Sequence, residues 1–142
     1  MILEQRPIRV LCVDDNDLIG DAIQIKLDLA GGFEWAGQLP NAESLVNEAI
    51  HRQPDVILLD IDMPGKDPID ALRQLMEFLP NVRVLMLTGY VRRDLIERAI
   101  EAGAWGYLSK FTGGEAIVDA IIKVTRGEFV MGPGVASAYR RR

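Results

Sequence analysis

The sequence holds a single cysteine, Cys12. No disulfide can therefore close within it, and a reducing cytoplasm is the expected setting. Basic charge is also short: 16 Lys and Arg stand against 21 Asp and Glu, a net charge of −5. That excludes a chain built as a whole to bind nucleic acid, although it leaves room for a separate DNA-binding domain. No apolar run approaches the ~20 residues of a membrane-spanning helix. The opening residues MILEQRPIRV have no signal-peptide core. Nothing repeats, and no segment is of low complexity. A glycine-rich loop after the first apolar run is missing too, which removes a dinucleotide-binding reading. What remains is 142 residues, 49% hydrophobic and 26% charged, which fits one soluble globular domain with its own core.

The apolar segments are of two kinds. Ile8–Val13, Asp55–Leu59 and Val82–Leu87 are short, near-continuous and rich in branched residues, with Phe33–Ala36 and Gly106–Leu108 as weaker versions. Such runs suit strands buried on both faces of a parallel sheet. Between them lie stripes of helical period: Ala42, Leu45, Val46, Ala49 and Ile50; then Ile69, Leu72, Leu75, Met76 and Leu79; then Leu95, Ile96, Ala99 and Ile100; then Ala116, Ile117, Ala120, Ile121 and Val124. Gly103 and Gly127 stand where the last two should stop. A first helix over Leu18–Leu29 is less cleanly amphipathic and ends at Gly31-Gly32. Strand and helix thus alternate five times, which predicts an open α/β sheet, doubly wound, with helices on both faces. Ligands of such sheets bind beyond the carboxyl ends of the strands.

Those ends are polar. The first strand runs into Asp14 and Asp15, with Asn16 and Asp17 after them. The third ends at Asp60, with Asp62 following; the fourth ends at Thr88 and the fifth runs into Lys110. A parallel sheet gathers these ends, so three carboxylates, a hydroxyl and an ammonium are predicted to share one pocket. Clustered carboxylates repel one another unless a cation neutralises them. Mg²⁺ is the hard, oxygen-seeking ion that suits such a site, because it accepts a few carboxylates together with water and phosphate oxygens. A lysine and a hydroxyl are the groups that hold phosphoryl oxygens, and a carboxylate can attack phosphorus to form an acyl phosphate. Each residue also has a simpler reading. Asp14, Asn16 and Asp17 suit a helix cap, Asp60 a turn, Thr88 a loop, and Lys110 a solvated surface. The four strand ends taken together favour the site. His51 reads as a solvated residue at a helix end, Cys12 as a small buried hydrophobe, and Trp35 and Trp105 as packing.

On these motifs the chain resembles the receiver domain of two-component response regulators. VDDND at 13–17 is similar to the acidic pair of that family, DIDMPG at 60–65 to its phosphoacceptor loop, LTG at 87–89 to its hydroxyl turn, and EAGAWGYLSK at 101–110 to the run into its lysine. The resemblance implies a flavodoxin-like (βα)5 sheet of strand order 2-1-3-4-5. It implies that Asp60 is the phosphoacceptor, with Mg²⁺ held by Asp14, Asp15, Asp60 and the backbone carbonyl of Asp62. Thr88 and Lys110 would hold the phosphoryl group, Tyr107 would be the switch aromatic, and Tyr90 and Asp62 would flank the site. The partner implied is a sensor histidine kinase, with a homodimer as a further assembly open to the domain. DNA would be reached only through a C-terminal helix-turn-helix domain that these residues do not contain.

Two positions depart from the family. Phe111 stands where many receivers have proline, and Pro68 where glycine is usual. Phe111, with GYLSK and AIIKVTRGEFVMGP, resembles the NarL/LuxR-like subfamily. The expected division is a receiver over residues 1–127, and a tail or linker start over 128–142. The rival is a phosphatase of the haloacid-dehalogenase type, with Asp60 as nucleophile in LLDID at 58–62. Its second motif should then place Thr or Val where Pro64 stands, and its acidic pair late in the chain rather than at 14 and 15.

Overall fold

The computed structural model describes residues 6–140; the first and last few residues read above, Met1–Gln5 and Arg141–Arg142, lie outside that range. Strands β1 (Ile8–Val13), β2 (Phe33–Leu39), β3 (Val56–Asp60), β4 (Arg83–Thr88) and β5 (Gly106–Ser109) alternate with helices α1 (Asp17–Ala30), α2 (Leu45–Arg52), α3 (Pro68–Phe78), α4 (Arg93–Ala102) and α5 (Gly114–Thr125). All strand pairs are parallel, and the sheet order is β2-β1-β3-β4-β5, extended by a sixth strand, β6 (Val130–Met131), beside β5. The doubly wound α/β architecture is therefore the one the alternation predicts.

Burial explains the near-continuous apolar strands. Every residue of β3 is buried, as are all but the first one or two of β1 and β4. Side chains alternate across the sheet into two cores. Val10, Cys12, Val56, Leu58, Leu85, Leu87 and Leu108 meet α1 and α5 on one face, through residues such as Ile23, Leu27, Ile117 and Ile121. Leu11, Val13, Ile57, Leu59, Val84, Met86 and Tyr107 form the other core with α2, α3 and α4. Cys12 is buried as expected, and the partly buried Trp35 and Trp105 pack against the first core. Trp105 also lies beneath the Arg83 guanidinium, 3.7 Å from its ring centre. His51 is an exposed residue in the last turn of α2.

Local signals set the ends. Asn16, not Asp14 or Asp17, caps α1 by accepting from the Leu18 N–H. Asp67 caps α3 in the same way, with Pro68 in the first turn, where its missing N–H costs nothing. Gly103 ends α4 at φ +110°, a conformation that glycine alone adopts freely. Helix α2 starts at Leu45, later than its apolar stripe suggests, because residues 41–44 form a turn instead.

The segment from residue 128, expected to be a tail or linker start, is structured through most of its described length. Val130 and Met131 pair with Gly106 and Tyr107, and helix α6 (Pro133–Arg140) folds back beside β5 and α4. Val135 is completely buried in the core that holds Tyr107. Tyr139 packs its ring under Arg93 at 4.7 Å, with its hydroxyl 3.4 Å from Glu97. A stretch this short and glycine-rich carries too little periodicity to show in sequence; it folds because β5 offers a free edge.

Close approach of β6 explains Gly106. A Cβ there would lie 2.5 Å from Leu85 Cδ2 and 2.6 Å from the Val130 carbonyl oxygen. Gly106→Ala is expected to force β6 off the sheet and cost about 1–3 kcal/mol, the usual range for overpacking. Thermal denaturation should register this as a loss of several degrees, whereas an unchanged melting temperature would show that β6 yields freely.

Candidate functional site

The carboxyl ends of β1, β3, β4 and β5 converge on a pocket. Asp14 and Asp60 are fully buried, Thr88 is fully buried, and Asp15 is exposed at the rim. One carboxylate oxygen from each of Asp14, Asp15 and Asp60 lies within 4.8 Å of the others. Lys110, only 14% exposed, reaches in from β5 and places Nζ 2.8 Å from Asp60 Oδ2 and 2.9 Å from Asp14 Oδ2. The contact with Asp60 is a hydrogen bond; that with Asp14 is an ion pair without hydrogen-bond geometry, and it leaves Asp14 Oδ2 with no hydrogen-bond donor.

The remaining bonds aim the carboxylates. Asp14 Oδ1 accepts from the Asn16 N–H at 2.8 Å, and Asp60 Oδ1 accepts from the Asp62 N–H at 2.9 Å. Asp62 turns its own carboxylate toward the Gly89 N–H, 3.3 Å away. Thr88 donates its hydroxyl to the Tyr90 carbonyl and accepts from the Tyr90 N–H at 3.2 Å. Tyr107 is fully buried, with its hydroxyl unpartnered. Tyr90 itself is exposed. The structure thus brings Asp14, Asp15, Asp60 and Lys110 into one cluster, with Thr88 and Tyr107 on the neighbouring strands β4 and β5.

Electrostatics follow from that burial. Desolvation raises the Asp60 carboxyl above its ordinary range and the charge of Asp14 adds to this, against the hydrogen bonds from Lys110 and the Asp62 N–H. Burial works against the Lys110 ammonium, but its contacts with Asp60 and Asp14 outweigh it and the net shift is upward. Burial pushes the Tyr107 phenol to about 12, with the neighbouring Thr88 side chain acting the other way. The Cys12 thiol, buried beside the two aspartates, is also pushed to about 12 and stays protonated. An oxygen-only set with two buried carboxylates, one of their oxygens lacking a hydrogen bond, fits a hard divalent cation.

Two supports of this pocket were not legible beforehand. Strand β2 runs on to Leu39, past the expected Ala36, so the Leu39 carbonyl receives the Asp14 N–H at 3.0 Å. Gln38 donates to the carbonyls of Asp14 and Asn16 at 3.2 and 3.3 Å, and pins the loop between β1 and α1. Gly20 leaves the space that Gln38 fills. Nothing local in the sequence marks Gln38, because its role depends on β2 lying beside β1.

Fold and site together define a flavodoxin-like domain with an acidic, lysine-paired pocket at its strand ends. The chain belongs to the response regulator receiver domain family, whose description matches residues 10–122. The response regulator protein VraR of Staphylococcus aureus is 34% identical over 135 residues, which span 95% of this chain and 65% of that protein. Among solved structures, the signal receiver domain of the response regulator NarL from Mycobacterium tuberculosis is 26% identical, with a TM-score of 0.82 over 87% of this chain and all of that one. A LuxR-family response regulator from Aurantimonas sp. SI85-9A1, at 24% identity, shares the fold with a TM-score of 0.87 over 94% of this chain and 95% of that one. These matches place the chain in the NarL/LuxR-like group and exclude the haloacid-dehalogenase reading. The chain spans less than two thirds of the VraR length. Among the described residues, no helix is long and apolar enough to cross a membrane.

Proposed function

We propose that this domain is a phosphorylation-driven switch in which Asp60 takes a phosphoryl group from a sensor histidine kinase. The observation that carries the reading is the contact of a fully buried Asp60 with Lys110, inside a cluster completed by Asp14 and Asp15. One Asp60 oxygen attacks phosphorus while the bond from phosphorus to the donor imidazole breaks, its electron pair leaving on the imidazole nitrogen. Asp62 N–H and Lys110 hold the carboxylate at 2.9 and 2.8 Å, so attack needs little reorientation. Asp14, Asp15, Asp60 and the carbonyl of Asp62 would hold Mg²⁺, which when bound neutralises charge on the transferring group. Lys110 then exchanges its carboxylate contact for a phosphoryl oxygen, and the Thr88 hydroxyl leaves the Tyr90 carbonyl to donate to another.

Movement of Thr88 alters the space beside Tyr107, whose backbone carbonyl accepts from the Gly132 N–H at 3.1 Å. That hydrogen bond ties the switch strand to the segment leading into α6, so α4, β5 and α6 form the route by which the change leaves the domain. The output we infer is transcriptional, through a DNA-binding domain following α6. The setting we infer is cytoplasmic, consistent with the single unpaired cysteine.

Incubation with acetyl phosphate and Mg²⁺, followed by intact mass measurement, tests the reading. One phosphoryl adduct is expected, absent when the metal is chelated. No adduct under conditions that label another receiver would overturn it.

A further inference from the structure

The three carboxylates of the cluster are not held alike. Asp14 and Asp60 each accept from a backbone N–H and face Lys110. Asp15 is exposed at the rim, and among the described residues its carboxylate takes no hydrogen bond and no ion pair. One of its oxygens nevertheless lies within 4.8 Å of those of Asp14 and Asp60. Its aim comes from its backbone alone.

That backbone is clamped from β2. The carbonyls of Asp14 and Asn16, on either side of Asp15, both accept from the Gln38 carboxamide, at 3.2 and 3.3 Å. An amide nitrogen carries two hydrogens, so one side chain serves both acceptors at once. The Asp14 carbonyl belongs to the peptide plane that joins Asp14 to Asp15. The Asn16 carbonyl also accepts from the Ile19 N–H at 3.1 Å, in the first turn of α1. Gln38 therefore ties the end of β1 to the start of α1, with Asp15 between the two points of attachment.

Two features of the chain bring Gln38 there. The pairing of β1 with β2 shifts register between Val10 and Leu11, so that Gln38 lies opposite Cys12. Without the shift it would lie opposite Val13 and point to the other face of the sheet, away from α1. The second feature is Gly20, buried in α1. A Cβ added there would meet Gln38 first, with Oε1 at 1.7 Å, and the three nearest heavy atoms all belong to that side chain. Gly20 has no left-handed φ. Glycine therefore supplies room rather than conformation, at a helical position where alanine would be the better helix former.

We infer that Gln38 is a positioning residue for Mg²⁺: by holding the carbonyls on both sides of Asp15, it keeps that exposed carboxylate aimed at the ion's place beside Asp14 and Asp60, and Gly20 is the seat it requires. That role rests on the Mg²⁺-assisted phosphoryl transfer proposed for Asp60. It adds the residue that sets how much Mg²⁺ the site needs. Groups that orient metal ligands change affinity about 10–100-fold when removed.

Titration of Mg²⁺ into the whole chain, followed by amide chemical shifts of the loop between β1 and α1, tests this without a phosphodonor. Gln38→Met keeps bulk over Gly20 but removes both donors, and should weaken Mg²⁺ binding by about tenfold. Gly20→Ala keeps Gln38 in the sequence but expels it from its seat, and should weaken binding to a similar degree. Its metal-free melting temperature should stay near the parent's, because alanine favours the helix. The two substitutions combined should be little worse than either alone, since both break the same contact. Half-maximal labelling by acetyl phosphate should need correspondingly more Mg²⁺ in each variant. Parent-like Mg²⁺ affinity in Gln38→Met or in Gly20→Ala would overturn the inference. So would labelling that falls equally at every Mg²⁺ concentration. A parent that binds Mg²⁺ but takes no phosphoryl group would overturn the proposed function alone, and the titration would still decide the role of Gln38. A parent that binds no Mg²⁺ would overturn both.

Discussion

Lys110→Ala is expected to destabilise the domain by roughly 3–5 kcal/mol in metal-free buffer, a fall in melting temperature on the order of 10 °C. The reason is what it leaves behind. Asp14 and Asp60 are both fully buried, and Lys110 is the only cation that contacts either among the described residues. Without it, two buried carboxylates lie side by side unpaired, an arrangement far costlier than a missing surface ion pair. The loss should grow with pH. In acid the Asp60 carboxyl, held above its ordinary range by burial, can take up a proton and the variant approaches the parent; as pH rises it becomes charged and the gap widens. Added Mg²⁺ should return part of the stability, because a ligand that binds only the folded form stabilises it. Melting curves of parent and variant with chelator, at acidic and neutral pH and then with Mg²⁺, check all three parts. A melting temperature equal to the parent's at neutral pH would mean that Lys110 is not what compensates the buried charges.

Asp60→Asn should act in opposite directions on signal and stability. The amide has the shape of the carboxylate but is not a nucleophile toward phosphorus, so the phosphoryl adduct should vanish altogether. Metal-free stability at neutral pH should instead be kept or raised by a few degrees. The sign follows from the carboxyl, whose folded pKa lies above its ordinary 3.8 chiefly because of burial. A raised folded value means the native state holds this proton longer than the unfolded chain does. The group's contribution is therefore most favourable below the unfolded value, declines as pH rises through the folded one, and stays a cost above it. Asparagine removes that cost, while Lys110 keeps Asp14 as a partner. Intact mass after phosphodonor treatment, with melting curves from about pH 4.5 to about pH 8, reads both effects. Full labelling of the variant would remove Asp60 from its role. A melting temperature well below the parent's would show that the Lys110 contact outweighs desolvation.

Much of the pocket was legible because its residues sit in sequence at the ends of strands that are themselves easy to read. Asp14, Asp15, Asp60, Thr88 and Lys110 each follow a short apolar run, and strand ends of one parallel sheet must lie together. The supports were not legible. Gln38 and the Leu39 carbonyl act on Asp14 and the loop after it only because β2 outruns its apolar signal. The residue that caps α1 was one of several candidates until the fold chose Asn16. Strand β6 is two residues long and is held by the edge of β5 rather than by its own pattern.

The sequence by itself determined the alternation of buried strands with one-sided helices, and with it the doubly wound sheet and the polar residues at its carboxyl ends. Those are local consequences of hydrophobic period and of residue types that start and stop elements. Only the tertiary structure decided which groups touch. It buried Asp60 and Asp14 around one ammonium, turned Thr88 toward Tyr90, sealed Tyr107 in the core, and folded residues 130–140 back onto β5 and α4. It also left Leu18, Ile25 and Leu29 in water. Such outcomes depend on residues far apart in the chain competing for the same space and the same charge, and no local pattern records who wins.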